Sequence, residues 1–349
     1  PILVNADRGS SWRNIGGGRT AFSLPELAEI AAQNHHIFKE LQYLSNIDYK
    51  PIRYISFAHD EETYKALEAS KAWSKAEMIA PKQFREEISP YFNANPKKYI
   101  SALVSEDCWQ ATPGKVVDLV RNLGIAAGGT VMEDCRVLEA CREGKYTSVL
   151  VQTHDKKYVE YRTEHFVNAL GSGAGKLCDS MGIDAGLYPV RHQAFITRRL
   201  PMLGKHGTNL DMLIDRQDYK GFSAVYGQQI AYTGQIIGCA SPKLDAMRID
   251  KNLKVNTKAF LEIVSEMFSE WIPDLAGVGI QAVWAGYYTE PRYIVDPELG
   301  LFVGMRGHGF MLSQYIARMY VDKLLGRPVP EYFEKLKLNG PGLSEKAFK

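Results

Sequence analysis

Three glycine clusters hold the residues best suited to chemistry: GGGR at Gly16–Arg19, GSGAGK at Gly171–Lys176 and GMRGHGF at Gly304–Phe310. Glycine at a strand-to-helix turn lets backbone N–H groups come close to a ligand. A helix N-terminus adds donors and the positive end of a dipole, so such turns suit anions. The second cluster invites comparison with a phosphate loop. That loop has four residues between its outer glycines and a Ser or Thr after the Lys. Here three residues separate Gly171 from Gly175, and Leu177 follows Lys176. No hydroxyl is placed to reach magnesium, so the chain is not read as an NTPase. Three such turns in one chain point instead to a long ligand with a phosphate group and a flat polar ring.

The elements around these turns follow from pattern. Ile2 to Ala6 reads as a short buried strand. Ser23 with Glu26 three residues on predicts a capping box, and Pro25 fits the first turn of the helix that follows. Leu27, Ile30, Ala31, Ile37, Leu41 and Leu44 form its apolar stripe. Tyr54–Phe57 reads as a strand, and two amphipathic segments follow over 61–72 and 81–88. Thr112 and Pro113 open a helix that Gly124 stops. Val131, Val137 and the run 149–152 predict strands of a small antiparallel layer, and Phe166–Leu170 predicts a strand running into the second glycine turn. From Val190 to Ile237 the pattern is strand-like with Gly and Asp at the turns. Thr257–Trp271 is an amphipathic helix with Asn256 as its cap, GIQAVWAGYYTE a strand followed by a loop, and LFVGMRGHGF a strand, a glycine turn and a helix closed by Gly326 and Pro328.

Composition removes several classes. Lys plus Arg number 42 against 40 acidic residues, so no basic excess exists to hold a nucleic acid. The five cysteines, Cys108, Cys135, Cys141, Cys178 and Cys239, are odd in number, and none forms a C-x-x-C pair. That argues against a disulfide framework or a metal site and suits a reducing, cytoplasmic setting. No apolar run reaches the length of a membrane span, and no signal peptide is visible.

Four stretches together resemble the flavin-dependent amino-acid oxidase superfamily, which includes sarcosine oxidase, glycine oxidase, D-amino-acid oxidase and dye-linked proline dehydrogenase. ILVNAD with SSWRNIGGGR is similar to the second Rossmann strand and flavin loop. DCWQATPGKVVDLVRNLGIAAGGTV is similar to the family's D-G-x-x-x-P helix and following strand. EHFVNALGSGAGKL is similar to V-x-A-A-G-x-W, and WAGYYTEPRYIVDPELGLFVGMRGHGFMLSQYIARMYVDKLLG to the C-terminal G-x-x-G-H-G-F strand and helix. The likeness spans nearly the whole chain. The family's usual first strand, G-x-G-x-x-G turn and helix precede the strand with which this sequence begins. That unit is expected outside the numbered chain or as a separate N-terminal polypeptide.

The resemblance implies an α/β fold, with a Rossmann-like FAD-binding domain over 1–45, 97–190 and 281–349 interleaved with an antiparallel β-rich substrate domain over 46–96 and 191–280. It implies FAD held by Asp7, Ser11, Arg13, Asn14, Gly17, Gly18, Val137, Gly171, Gly173, Gly304, Gly307, Gly309, Phe310 and Met311. FAD is expected to be non-covalent, because Gly286 and Tyr287 stand where monomeric sarcosine oxidases carry a cysteine. The implied reaction is oxidation of the C–N bond of a small amino acid or secondary amine to an imine. Arg19 or Arg292 would clamp a carboxylate, Tyr288 and Tyr226 would wall the site, and His308 would orient substrate or flavin. Arg191, His192 and Gln193 lie where the family has an R-G-Q run. Alternatives are an FAD-dependent 2-hydroxy-acid dehydrogenase and a non-catalytic subunit of a flavoprotein complex. A homo- or hetero-oligomer is expected.

Overall fold

The computed structural model describes residues 2–4, 9–93, 95–200, 203, 210–217, 220–230, 233–242, 253 and 257–345. The chain divides into two compact units. Unit 1 comprises 1–13, 113–190 and 287–343; unit 2 comprises 14–112, 191–286 and 344–349.

In unit 1, Ile2–Val4 pairs in parallel with Val131–Glu133. Val131 therefore leaves the small antiparallel layer in which the sequence places it. That layer is made by Arg136–Glu143, Tyr146–Gln152 and Tyr158–Thr163. The helix Pro113–Ala126 runs past Gly124, and its chain turns at Gly128 with φ +91°. The expected Phe166–Leu170 strand is reduced to one bridge, Asn168 with Leu301. Asn168 is fully buried; its Nδ2 donates to Ala174 O at 3.1 Å and its Oδ1 accepts from Leu170 N. These local bonds curl the chain into the glycine turn instead of extending it. Ile294–Asp296 and Leu301–Val303 form a hairpin, and Gly309–Leu324 is the final helix.

Among the described residues the large sheet has nine strands and lies mostly in unit 2. Its order is Ile280–Glu290, Tyr188–Thr197, Ile236–Pro242, Phe222–Gln229, Met212–Asp215, Lys50–Ala58, Ser101–Gln110 and Gly17–Gly18, with Ala76–Ile79 branching from Ser101–Gln110. Strand structure continues through Tyr287–Glu290, where a loop is expected from the sequence.

Alternation gives this sheet two distinct faces. Phe195, Val225, Ala240, Leu213, Ile55 and Phe57 pack against Phe260, Ile263, Val264, Met267, Phe268 and Trp271 of the helix Thr257–Trp271. Phe57 sits among Phe92, Tyr99 and Trp271, with ring centroids 5.5, 4.9 and 5.9 Å away. Each such ring stabilises the core by about 2 kcal/mol through burial alone. The other face carries Tyr226, Ile214, Met212, Tyr54, Ile52 and Cys108.

The helix Pro25–Leu44 buries the stripe read from its sequence: Leu27, Ile30, Ala31, Ile37 and Leu41 are inside, while Leu44 is exposed. The capping box does not form. Leu24 is the N-cap, and Ser23 turns to Glu345, its N–H reaching Oε2 at 3.0 Å. Pro25 lacks an N–H and already suits the first turn, so the helix starts without the serine. Asn256 lies outside the described residues.

Candidate functional site

Each unit carries one group of the residues singled out above. In unit 1 the final strand Leu301–Val303 meets Gly304 at φ +70°, a conformation that disfavours side chains. A Cβ on Gly304 would stand 1.9 Å from Arg292 O. Arg306 follows at φ +50°, held by an ion pair with Glu290 at 2.7 Å. This strained turn delivers His308 to the N-cap of Gly309–Leu324. No side chain caps that helix. The amides of its first turn, at Gly309, Phe310 and Met311, are therefore suited to an anionic partner.

His308 is oriented by Tyr293, whose Oη lies 2.5 Å from Nδ1. Tyr288 packs on Gly307 so closely that a Cβ there would be 2.5 Å from its Cε2. Arg292 sends its guanidinium to Leu338 O and Gly340 O. Gly171 and Gly173 are exposed at the entry to Ala174–Ser180, another helix start without a side-chain cap. A Cβ on Gly171, at φ +55°, would meet nothing within 4 Å. Ser11 and Arg13 belong to the short helix Ser10–Arg13, which Ser10 Oγ ties to Tyr287 O at 2.6 Å. Val137 packs with the cluster of Cys135, Ala140, Val149 and Val151. Asp7 lies outside the described residues.

In unit 2 the loop Asn14–Gly18 is shaped by its own side chain: Asn14 Oδ1 accepts Gly16 N at 2.7 Å. Gly17 and Gly18 pair with Gln110 and Trp109. Their missing Cβ atoms would fall 2.1 Å from Tyr54 Oη and 2.1 Å from Trp109 Cε2, so two aromatic residues hold this backbone. Trp109 is fully buried and stacks on Phe38 at 3.8 Å. Arg19 is 4% exposed, with Nη1 donating to Ala21 O and its guanidinium 3.9 Å above the Phe22 ring. Tyr226 is half-buried on the sheet face opposite the aromatic core. The registers Ala194 to Cys239 and Tyr226 to Cys239 put His192, two residues before Ala194, on that same face. Burial pushes the His192 pKa down to about 3, so its ring is neutral at ordinary pH. Gln228, also on this face, donates to Ile15 O at 2.8 Å.

Unit 2 thus brings Arg19, Tyr226, Gly17 and Gly18 into one substructure, and unit 1 does so for Tyr288, Arg292, Gly304 and His308. Sequence reading passed over three charged residues. Arg306 and Glu290 shape the turn before His308, and a non-glycine at φ > 0 leaves no mark in composition. Arg216 directly follows a strand end; its place on the Tyr226 face could be found from the alternation of NLDMLID, in which Asp215 points the other way. Among the described residues, no cluster of His, Cys, Asp or Glu could hold a metal ion, and no helix is long and apolar enough to cross a membrane.

A model of the family described as FAD dependent oxidoreductase (DAO) matches residues 3–323. No curated protein matches. Among solved structures, L-proline dehydrogenase from P. horikoshii is similar at 22% identity and TM-score 0.77, covering 95% of this chain and 87% of that one. Glycine oxidase from Geobacillus kaustophilus is similar at 16% identity and TM-score 0.75, covering 97% and 91%. L-α-glycerophosphate oxidase from Mycoplasma pneumoniae, a structure with FAD bound, is similar at 14% identity and TM-score 0.69, covering 93% and 88%.

Proposed function

This chain belongs to the DAO family of FAD-dependent oxidoreductases, and from that premise we propose that it oxidises the C–N bond of a small amino acid or secondary amine. Bound FAD supplies the hydride acceptor for such chemistry. The residues of unit 1 fit the cofactor: two helix starts without side-chain caps, and at Gly171 a backbone facing open space. Gly171 and Gly173 would hold a phosphate group. The amides of Gly309, Phe310 and Met311 would face the N1–O2 edge of the flavin, where each aligned donor is worth about 3 kcal/mol to developing charge. Ser11, Arg13, Asn14, Gly17 and Gly18 would line the rest. With Gly286 and Tyr287 in place of a cysteine, FAD is held non-covalently. Arg19 and Tyr226 of unit 2 would serve the substrate.

One observation supports the substrate class: Arg19 is buried in unit 2, with its guanidinium 3.9 Å above the Phe22 ring. The carboxylate of an amino acid is a bidentate partner that matches a guanidinium in shape. Arg292 gives its guanidinium to two backbone carbonyls, whereas Arg19 gives Nη1 to one, Ala21 O, which favours Arg19 as the clamp. Tyr226 and neutral His192 share a wall that excludes water without adding charge. Removing hydride from the carbon beside nitrogen requires an unprotonated amine, and a neutral His192 does not oppose its approach. His308, held by Tyr293 at Nδ1, would orient substrate or flavin through the rest of its ring.

A 2-hydroxy acid would present the same carboxylate, and the glycerophosphate oxidase likeness keeps that reading in view. Anaerobic mixing with sarcosine, glycine, L-proline and D-proline, and separately with glycolate and glycerol 3-phosphate, decides between them. Bleaching of the flavin band by an amine and not by the hydroxy compounds is expected. Bleaching by the hydroxy compounds alone would overturn the proposal.

A further inference from the structure

The strands Phe222–Gln229 and Gly17–Gly18 lie four steps apart in the large sheet, with Met212–Asp215, Lys50–Ala58 and Ser101–Gln110 between them. At about 4.8 Å a step, a flat sheet would hold them roughly 19 Å apart. Two glutamine side chains close that distance. Gln228 Nε2 donates at 2.8 Å to Ile15 O, just before Gly17–Gly18. Gln110, paired with Gly17, sends its Nε2 to Gln229 O at 2.9 Å. The sheet therefore curls over the face that carries Tyr226, and the bridge lies wholly within unit 2.

The bridge joins two parts of the candidate site. Ile15 stands between Asn14 and Gly17 in the loop assigned to the flavin. Gln228 stands two residues past Tyr226 and shares its face. Ile15 and Tyr226 also pack against one apolar cluster, with Tyr54, Met212 and Ile214. Gln228 is 0% exposed. Giving its Nε2 to Ile15 O fixes which end of the amide is oxygen, and that Oε1 has no hydrogen-bond partner among the described residues. A buried acceptor of this kind weakens the fold, and a methionine of similar length would avoid it. What glutamine supplies and methionine cannot is the donor to Ile15 O. Gln229, on the opposite face, serves the core instead: its Oε1 accepts Leu210 N at 2.9 Å.

We propose that Gln228 is a positioning residue: through Ile15 O it holds the flavin loop in register with the substrate wall, and so fixes the flavin relative to the carbon that gives up hydride. Small displacements between reacting atoms are costly in rate even when both partners stay bound. This rests on the reading that the loop Asn14–Gly18 lines the flavin and that Tyr226 walls the substrate.

Dilution of the FAD-loaded enzyme, which reads the FAD dissociation constant, and steady-state kinetics at saturating FAD with whichever of the amines above bleaches the flavin, test it. Gln228→Met is expected to raise the FAD dissociation constant about tenfold. It should lower kcat about fivefold or more and leave KM within about twofold, because Tyr226 stays on its strand. Gln229→Met makes the same change of side chain one residue on. It should lower Tm, since Leu210 N loses its acceptor, and leave the FAD dissociation constant and kcat unchanged. If Gln228→Met does not fold, Gln228→Asn serves, since its amide is one methylene too short for Ile15 O. A Gln228→Met variant that binds FAD as Gln229→Met does, or that raises KM and leaves kcat alone, overturns the proposal. Asn14→Ala, which takes the acceptor from Gly16 N, tells that failure from failure of the reading beneath it. If Asn14→Ala weakens FAD binding and Gln228→Met does not, only the bridge is refuted; if neither does, the loop does not line the flavin.

Discussion

Tyr293 places its hydroxyl 2.5 Å from His308 Nδ1, and Tyr293 is itself 1% exposed. A buried phenol has little freedom, so it sets the angle of the imidazole at the start of the final helix. Tyr293→Phe keeps the ring volume and removes that constraint. The expected result is a folded flavoprotein whose kcat falls about fivefold, the equivalent of about 1 kcal/mol for one hydrogen bond. A kcat equal to that of wild type would remove His308 from the reaction.

Gly304 and Gly307 stand three residues apart and are expected to respond differently to alanine. At Gly304 the new Cβ meets a backbone oxygen, Arg292 O, at 1.9 Å, with φ at +70°. Backbone cannot step aside cheaply, so Gly304→Ala should yield little soluble flavoprotein. At Gly307 the obstacle is the ring edge of Tyr288 at 2.5 Å, a side chain that can swing. Gly307→Ala should keep a normal ratio of flavin to protein while KM rises severalfold. Absorbance at the flavin and protein bands, with steady-state kinetics, checks both.

His59 and Asp215 give unit 2 a pH-dependent stability on the core face of the sheet. Asp215 is fully buried and accepts from His59 Nε2, from Tyr99 Oη at 3.2 Å and from Gln217 Nε2 at 3.0 Å. His59 Nδ1 meets Lys98 O at 2.8 Å, so both ring nitrogens face acceptors and the imidazole is charged. Burial opposes that charge, but the Asp215 hydrogen bond and charge, with the Lys98 carbonyl, outweigh it and hold the pKa above its ordinary value. The pair's contribution is thus complete below about pH 6.5 and is lost as pH rises through the elevated folded value. His59→Gln should lower Tm more at pH 6 than at pH 9. An equal loss at both would show the ring to be uncharged.

His35 has the opposite sign. Its Nε2 lies 2.6 Å from Tyr49 Oη, and burial, with the nearby charges of Lys39 and His36, pushes its pKa down to about 4 despite Asp107. The neutral ring is native, so stability falls as pH drops from about 6.5 towards 4, where the unfolded chain takes up a proton that the folded one refuses. His35→Asn should flatten that part of the Tm–pH curve, as thermal melts across the range would record.

Trp109 is the floor of the Asn14–Gly18 loop. It stacks on Phe38 and receives Gly18 directly. Trp109→Ala should cost about 3–5 kcal/mol for the cavity and lower flavin content, since the loop loses its support. Denaturant unfolding and the flavin-to-protein absorbance ratio test the two effects separately.

Much of this protein was decided by local sequence. The stripe Leu27–Leu41 makes a helix in any surroundings that bury it, and the glycines at 304, 307 and 309 allow a strand-to-helix turn before any neighbour is known. Four stretches resemble a flavin-dependent family, and the match over 3–323 bears that out. Tertiary structure decided whatever depends on a partner distant in the chain. Ser23 has the right spacing for a capping box, yet its groups go to Glu345, a residue 322 positions away. Phe166–Leu170 has strand-like composition, yet Asn168 spends its side chain on Ala174 and the run collapses to one bridge. Arg292 and Arg19 look equally able to clamp a carboxylate in sequence; only folding shows one given to two backbone carbonyls and the other buried beside Phe22 with Nη1 on Ala21 O. Propensity and periodicity act within a few residues, whereas charge pairing and close approach act through space, and it is these through-space effects that set the candidate site.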